Sequence, residues 1–407
     1  MTVKIWNLLQ IFAKLDLNIL FLLLFDFVVE KVIILYMKNK KLTGMSMFNV
    51  LYALAILLLA SSTFAEETKF WGAADVSAAV FLDDSHFVVA NDESNHLRIY
   101  QIDRPQSPVE QINLDSFLQA EPDSPEADIE AAARVGDRIF WITSHGRNKD
   151  GKLRPSRYRF FCTHIQSGQT GGERLVIEGK PCKTLVQQLL AHPSPVQEIL
   201  KQATQFDQPL SKKQREKLAP KEQGLNIEGL VYYPFDESLL IGLRNPLFKP
   251  KGQKEKLAVA VQLLNPQDLA IAGSAARFGR VLLWNLDNRG IRGMEYNSAD
   301  KTFYILAGPV DSETASALFR WEGDFEKQPT LVVEWAENSS AFTPEGIAVG
   351  PDGLLWLFSD DGMLEIPVES PSQCMEGKLL PNGTCPNKFL SDDGRKTFRI
   401  QKINLNP

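Results

Sequence analysis

Five copies of one short phrase constrain this chain more than any other feature: Asp75-Val76-Ser77-Ala78, Asp128-Ile129-Glu130-Ala131, Asn226-Ile227-Glu228-Gly229, Gly290-Ile291-Arg292-Gly293 and Thr343-Pro344-Glu345-Gly346. Successive copies start 53, 98, 64 and 53 residues apart. The long gap holds a Lys/Gln/Leu-rich stretch, 183–224, that reads as an insertion. Without it the period approaches the roughly 40 to 50 residues of a propeller blade.

Each phrase leads into an apolar strand, a turn and a second apolar strand. In the fifth copy these are Ile347 to Val349, Pro351-Asp352-Gly353, and Leu354 to Phe358. In the third, Leu230 to Tyr233 turns through 234–238 into Leu239 to Leu243, and the fourth turns at Ser298-Ala299-Asp300. Two more strands follow in most units, such as Leu257 to Leu264 and Arg280 to Leu286. Four antiparallel strands per unit, repeated around an axis, predict an all-β chain folded as a β-propeller of about five four-stranded blades. The small residue closing each phrase fits innermost strands that crowd near an axis. A solenoid would repeat at a shorter period, and paired sandwiches would not repeat one phrase five times. Within the insertion, Thr184 to Leu190 and Val196 to Ala203 have helical periodicity, so it reads as a short helical element, either a lid over the channel or a surface elaboration.

The first 65 residues differ in kind. From Met37 the chain runs through Lys38, Lys40 and Lys41 into an apolar stretch, Phe48 to Ala60, and then Ser61-Ser62-Thr63-Phe64-Ala65. A basic start, a short apolar core and small residues at the end predict a signal peptide over 37–65 with cleavage before Glu66. The apolar core is too short for a span of about 20 residues, so no stable membrane anchor is expected after cleavage. Residues 1–36 read as an upstream mis-start or an extra apolar segment, since Leu17 to Tyr36 carries Asp26, Glu30 and Lys31. The expected location is periplasmic or secreted, with a single propeller domain over 66–407. Losing six Lys and three acidic residues with the leader takes the formal charge from −6 to −9, which excludes nucleic acid as an expected partner.

All four cysteines lie beyond the leader. In an oxidising compartment they are expected to pair locally, Cys162 with Cys182 and Cys374 with Cys385. A Cys₄ zinc site lacks the C-x₂-C pairs it would need.

The phrases at Asp128 and Asn226-Ile-Glu-Gly-Leu230, followed by Leu240-Ile-Gly-Leu-Arg244-Asn-Pro246, Gly290-Ile-Arg-Gly293 and Ile305-Leu-Ala-Gly-Pro309, resemble in that order an uncharacterised bacterial domain-of-unknown-function family of predicted propellers. The resemblance covers essentially Asp75 to Leu405 and implies no settled activity. The Glu-Gly at strand starts is also remotely similar to esterase-like phytases and lactonase-type calcium propellers. In the lactonase group a Glu within Glu-Gly-Pro binds the channel metal; Leu230 and Ile347 stand in place of that Pro here.

In a propeller the first strand of each blade starts, and the second ends, on the same face. The polar residues expected around one mouth are therefore Asp75, Asp128, Glu130, Asn226, Glu228, Arg292 and Glu345 at strand starts, with Asn91, Asp92, His145, Arg244, Asn245, Asp360 and Asp361 at strand ends. Glu130, Glu228 and Glu345 would suit Ca²⁺ as oxygen ligands, or else Arg292 at the same repeat position neutralises them. Asp75, Asp128, Asn226, Arg292 and Asp360 are candidate ligand-binding groups. His145 is the candidate general base, with a structural role as its alternative. Arg244 is the candidate anion grip, or else part of the carboxylate network. No G-x-S-x-G, H-E-x-x-H, P-loop or G-x-G-x-x-G element stands in a suitable context. Two functions follow as expectations: a module that binds a small molecule or an envelope protein at an acidic mouth, or a calcium-dependent hydrolase of phosphoesters or lactones.

Overall fold

A computed structural model describes residues 67–167, 173–206, 208–220, 223–310, 315–335 and 342–404. The leader, 37–65, and the segment before it lie outside the described residues. No helix among the described residues is long and apolar enough to cross a membrane.

Five four-stranded antiparallel sheets form a propeller, as the repeat implies. Blade 1 is β2 (Ala78–Phe81), β3 (His86–Asn91), β4 (Ser94–Gln101) and β5 (Glu110–Asn113). Blade 2 is β6 (Ile129–Val135), β7 (Arg138–Thr143), β8 (Phe160–Ser167) and β9 (Glu173–Cys182). Blade 3 is β10 (Asn226–Tyr233), β11 (Ser238–Phe248), β12 (Leu257–Leu263) and β13 (Phe278–Trp284). Blade 4 is β14 (Gly290–Asn297), β15 (Thr302–Gly308), β16 (Ala317–Trp321) and β17 (Thr330–Glu334). Blade 5 joins β18 (Pro344–Val349), β19 (Leu355–Ser359) and β22 (Thr397–Ile403) to β1 (Thr68–Trp71), which pairs with β22 from Thr68↔Ile400 to Trp71↔Thr397. The first described strand of the chain thus closes the ring on the last one. The first strands β2, β6, β10, β14 and β18 contact one another in a closed circle.

Apolar side chains fill the seams between blades rather than a central core. On β3, Val88 and Ala90 pack toward blade 2, while Phe87 and Val89 pack toward blade 5. Successive strand residues point to opposite faces, so a blade buried on both sides needs apolar residues at nearly every position. That is why these strands read as continuous apolar runs. Phe70 of β1 stacks on Phe398 of β22 at 5.5 Å and meets Phe87 of blade 1 edge-on at 5.3 Å, anchoring the closure.

The insertion forms α2 (Leu185–Ala191), α3 (Gln197–Thr204) and α4 (Lys212–Glu216), after a short α1 (Asp115–Leu118) in blade 1. Leu185, Leu189, Val196, Leu200 and Ala203 join the core shared by blades 2 and 3, so the helices wedge into that seam. Between β19 and β22, a small hairpin of β20 (Glu365–Pro367) and β21 (Thr384–Pro386) is stapled by the Cys374–Cys385 disulfide.

The other expected disulfide is absent: Cys162 and Cys182 are free thiols. They lie on paired strands β8 and β9, but register sets Cys162 opposite Glu178 and Cys182 opposite Phe160. Proximity in sequence is not proximity across a ladder, and the register leaves neither cysteine opposite the other, whereas a disulfide brings its two Cβ atoms to about 3.5 to 4.5 Å.

Candidate functional site

The repeated phrase builds the site through a repeated irregularity. In blade 2 the pairing passes from Ile129↔Thr143 to Ala131↔Ile142, leaving Glu130 as an extra residue with no partner across the ladder. Glu228 occupies the same place between Ile227↔Leu243 and Gly229↔Gly242. Arg292 and Glu345 do so in blades 4 and 5. A bulge re-aims its extra side chain and bends its strand, and here it lifts one charged group per blade out of an otherwise apolar strand. In blade 1 the matching residue is Ser77, whose hydroxyl donates to Ile129 O of the next blade at 2.5 Å. The small residue after each bulge faces the neighbouring blade: a Cβ on Gly229 would lie 2.7 Å from Ile291 Cγ2, and one on Gly293 would lie 2.8 Å from Ile347 Cγ2.

Below Ser77 and Glu228 the axial space is lined by Ala78, Ala131, Leu230, Met294 and Ile347, one from each first strand. It has room for about one water molecule.

Glu228, Arg292 and Glu345 form a buried chain of ion pairs. Arg244 Nη1 donates to Glu228 Oε1 at 2.8 Å, and Asn226 Nδ2 donates to the same oxygen at 2.6 Å. Arg292 Nε lies 3.3 Å from Glu228 Oε2, and its Nη2 donates to Glu345 Oε1. Burial opposes the charge on Arg244, but Glu228 holds its pKa above the ordinary value. For Arg292 burial outweighs the surrounding carboxylates and lowers it. This arrangement answers the calcium expectation at the ring. A guanidinium occupies the place between Glu228 and Glu345 where an ion would sit, and the three ring glutamates are not among the described groups whose ligand atoms converge. Glu228 and Glu345 are thus committed to Arg292 rather than open to an ion between them.

Glu130 differs from the other two. Among the described residues no cation lies within ion-pair distance of it, and burial, then Asp128 and Glu228, hold its pKa well above the usual carboxylate value. Beside it, Asp128 Oδ2 lies 2.7 Å from Arg157 Nη1, yet burial still pushes Asp128 up to about 7. Asp92 is raised by burial and by Asp75 and Asp128, and Asp75 is pushed up to about 8 by burial and by Asp360. The mouth is thus polarised: Arg244 and Arg292 are on blades 3 and 4, while the excess of carboxylate gathers at blades 5, 1 and 2.

His145 is not part of this cluster. Its φ of 51° turns the chain away, its Nδ1 lies 2.8 Å from Thr143 O, and its ring meets Tyr158 edge-on at 5.6 Å. Tyr158 in turn packs on Phe206 after α3. Burial pushes the imidazole down to about 4, so at neutral pH it is uncharged and enclosed. Asp361 is likewise committed, to Arg399 at 2.6 and 2.9 Å. Arg157, Lys388 and Arg399 were not foreseen, because none occupies a repeat position. The bulge itself had a sequence signal: a lone charge between an apolar residue and a small one at the start of an apolar strand.

The model of a family described as proteins of unknown function, DUF3616, matches residues 75–343. No curated protein matches the sequence. Among solved structures, a gluconolactonase from Xanthomonas campestris is similar at 11% identity and a TM-score of 0.32, over 85% of this chain and 93% of that one. Glutaminyl cyclase from Myxococcus xanthus is similar at 13% identity and a TM-score of 0.35, over 72% and 89%. A protein of unknown function from Bacteroides thetaiotaomicron is similar at 9% identity and a TM-score of 0.35, over 83% and 77%.

Proposed function

The chain belongs to the DUF3616 family of proteins of unknown function, and with that as premise we propose that it is a binding propeller whose mouth takes a small organic cation, an amine or guanidinium, against Glu130. The observation that carries this is the unequal treatment of the ring carboxylates. Glu228 and Glu345 hold arginines, whereas Glu130 has no cation within ion-pair distance among the described residues and is crowded by Asp128 and Glu228. A buried carboxylate with no ion-pair partner is costly even with Arg292 acting on it from farther away, and a ligand cation there would lower that cost while leaving the arginine pairs intact. Hydrolysis is the weaker reading, because His145 is enclosed and uncharged rather than poised near neutral pH at the mouth.

A thermal-shift panel of primary amines, guanidines and their neutral isosteres, run in the presence of a chelator, tests the proposal. Cations should raise the melting temperature and their isosteres should not. Equal shifts from both would reject it. We further propose export, on the leader motif ending at Ala65; a protein recovered from cells with Glu66 at its N-terminus supports this, and one retaining Phe48 to Ala60 rejects it.

A further inference from the structure

We propose that a hard divalent cation binds at the rim of the mouth between the carboxylates of Asp75, Asp92 and Glu93. One oxygen from each lies within 4.8 Å of the other two. Oxygens on opposite sides of a calcium ion are about 4.6 to 5.2 Å apart, twice the metal–oxygen bond, so the cluster matches one coordination sphere. An all-oxygen donor set selects a hard ion over zinc or copper.

Acidic clusters are common, and this one is set apart by what its oxygens lack. Asp75 is 3% exposed, and its Oδ1 has no hydrogen-bond partner; Asp92 Oδ1 is also buried without one. Two unpartnered buried carboxylate oxygens side by side call for a cation. The backbone makes room for them. Asp75 bridges to Asp360 where blade 5 meets blade 1, and a Cβ on Gly362 would come 2.1 Å from Asp75 Oδ1. Gly362 N donates instead to Asp360 Oδ1 at 3.1 Å, and the Asp360 carboxylate is near enough to act on the charge of Asp75. Asp92 and Glu93 are the two turn residues between β3 and β4, held by the Asn91↔Ser94 pair.

Two ammonium groups face the cluster. Lys388 Nζ lies 2.6 Å from Glu93 Oε1 and also acts on Asp75 and Asp92; Lys396 acts on Asp75. Lys388 neutralises one carboxylate from outside and so limits the affinity for a metal. The cation site and the amine reading rest on different carboxylates, with Asp92 acting on Glu130 only through its charge, and the amine reading is decided at Glu130.

The test is calorimetric titration of CaCl₂ into chelator-treated, purified protein. Wild type should take up one Ca²⁺, Asp92→Asn should bind at least tenfold more weakly, and Lys388→Met should bind more tightly. Glu322→Gln, an exposed carboxylate elsewhere, serves as the control and should match wild type. If Asp92→Asn does not fold, Glu93→Gln at the exposed turn position takes its place. A wild type with no saturable heat overturns the site, as does an Asp92→Asn or Glu93→Gln protein that binds as tightly as wild type. Either result leaves the amine reading untouched.

Discussion

Arg244 Nη1 reaches Glu228 Oε1 at 2.8 Å across the first hairpin of blade 3. The other oxygen of that carboxylate faces Arg292 from blade 4, whose guanidinium continues to Glu345 on blade 5. Three blades are tied by groups that the chain supplies at matching places in its repeat. The network depends on all its members, because each buried charge is compensated by a neighbour.

Arg292→Met should therefore destabilise the protein by about 3 to 5 kcal/mol, since it strands Glu345 and leaves one side of Glu228 without a cation. Adding Glu345→Gln should recover part of that loss. Urea unfolding of the single and double variants measures both effects, and an Arg292→Met protein as stable as wild type would refute the network.

The bulges and the glycines behind them couple one blade to the next. Gly229→Ala should cost about 1 to 3 kcal/mol, because its new methyl would press on Ile291 at a distance side chains do not reach. Ile291→Ala removes the Cγ2 methyl from that contact, so Gly229→Ala should cost less in the Ile291→Ala background than in wild type. Strict additivity of the two changes would show that the residues do not touch.

Stability should fall as pH rises from about 4 to 8. Asp128 is raised to about 7 and Glu295 to about 8, while both titrate near 4 once unfolded. In that window the folded protein binds more protons than the unfolded one, so these groups favour the fold below pH 4 and cease to favour it as pH passes their folded values. Melting temperatures from pH 5 to 8 should decline, and Asp128→Asn should flatten the decline. A steady rise through this range would contradict the assignment.

The blade count, most strand positions and the helices of the insertion could be read from the sequence, because a repeat repeats its own hydrophobic pattern. Several features could not, and each fails for a particular reason. β1 carries no phrase, and only its pairing with β22 shows that it closes the ring. His145 occupies a strand end that points to the mouth in a regular blade, but a positive φ turns it toward Tyr158. The ring glutamates looked equivalent because they share a repeat position. What separates Glu130 from Glu228 is the placement of Arg244 and Arg292, which the hairpins decide in space. The thiols were paired by sequence distance, where the ladder register governs.

That register gives a chemical test. With Cys374 and Cys385 joined, denatured but unreduced protein should release two titratable thiols. In native protein the buried Cys162, whose pKa burial pushes up to about 12, should react far more slowly than the half-buried Cys182. No thiol in the denatured protein would mean that Cys162 and Cys182 are bonded after all.

The binding account stands or falls at Glu130. Calorimetric titration of the amine or guanidine giving the largest thermal shift, into wild type and Glu130→Gln with chelator present, measures it directly. The variant keeps the shape of the side chain and removes its charge. Saturable binding by wild type that weakens at least tenfold in Glu130→Gln is the predicted result; equal affinity in the two proteins, or no binding by wild type, would contradict it.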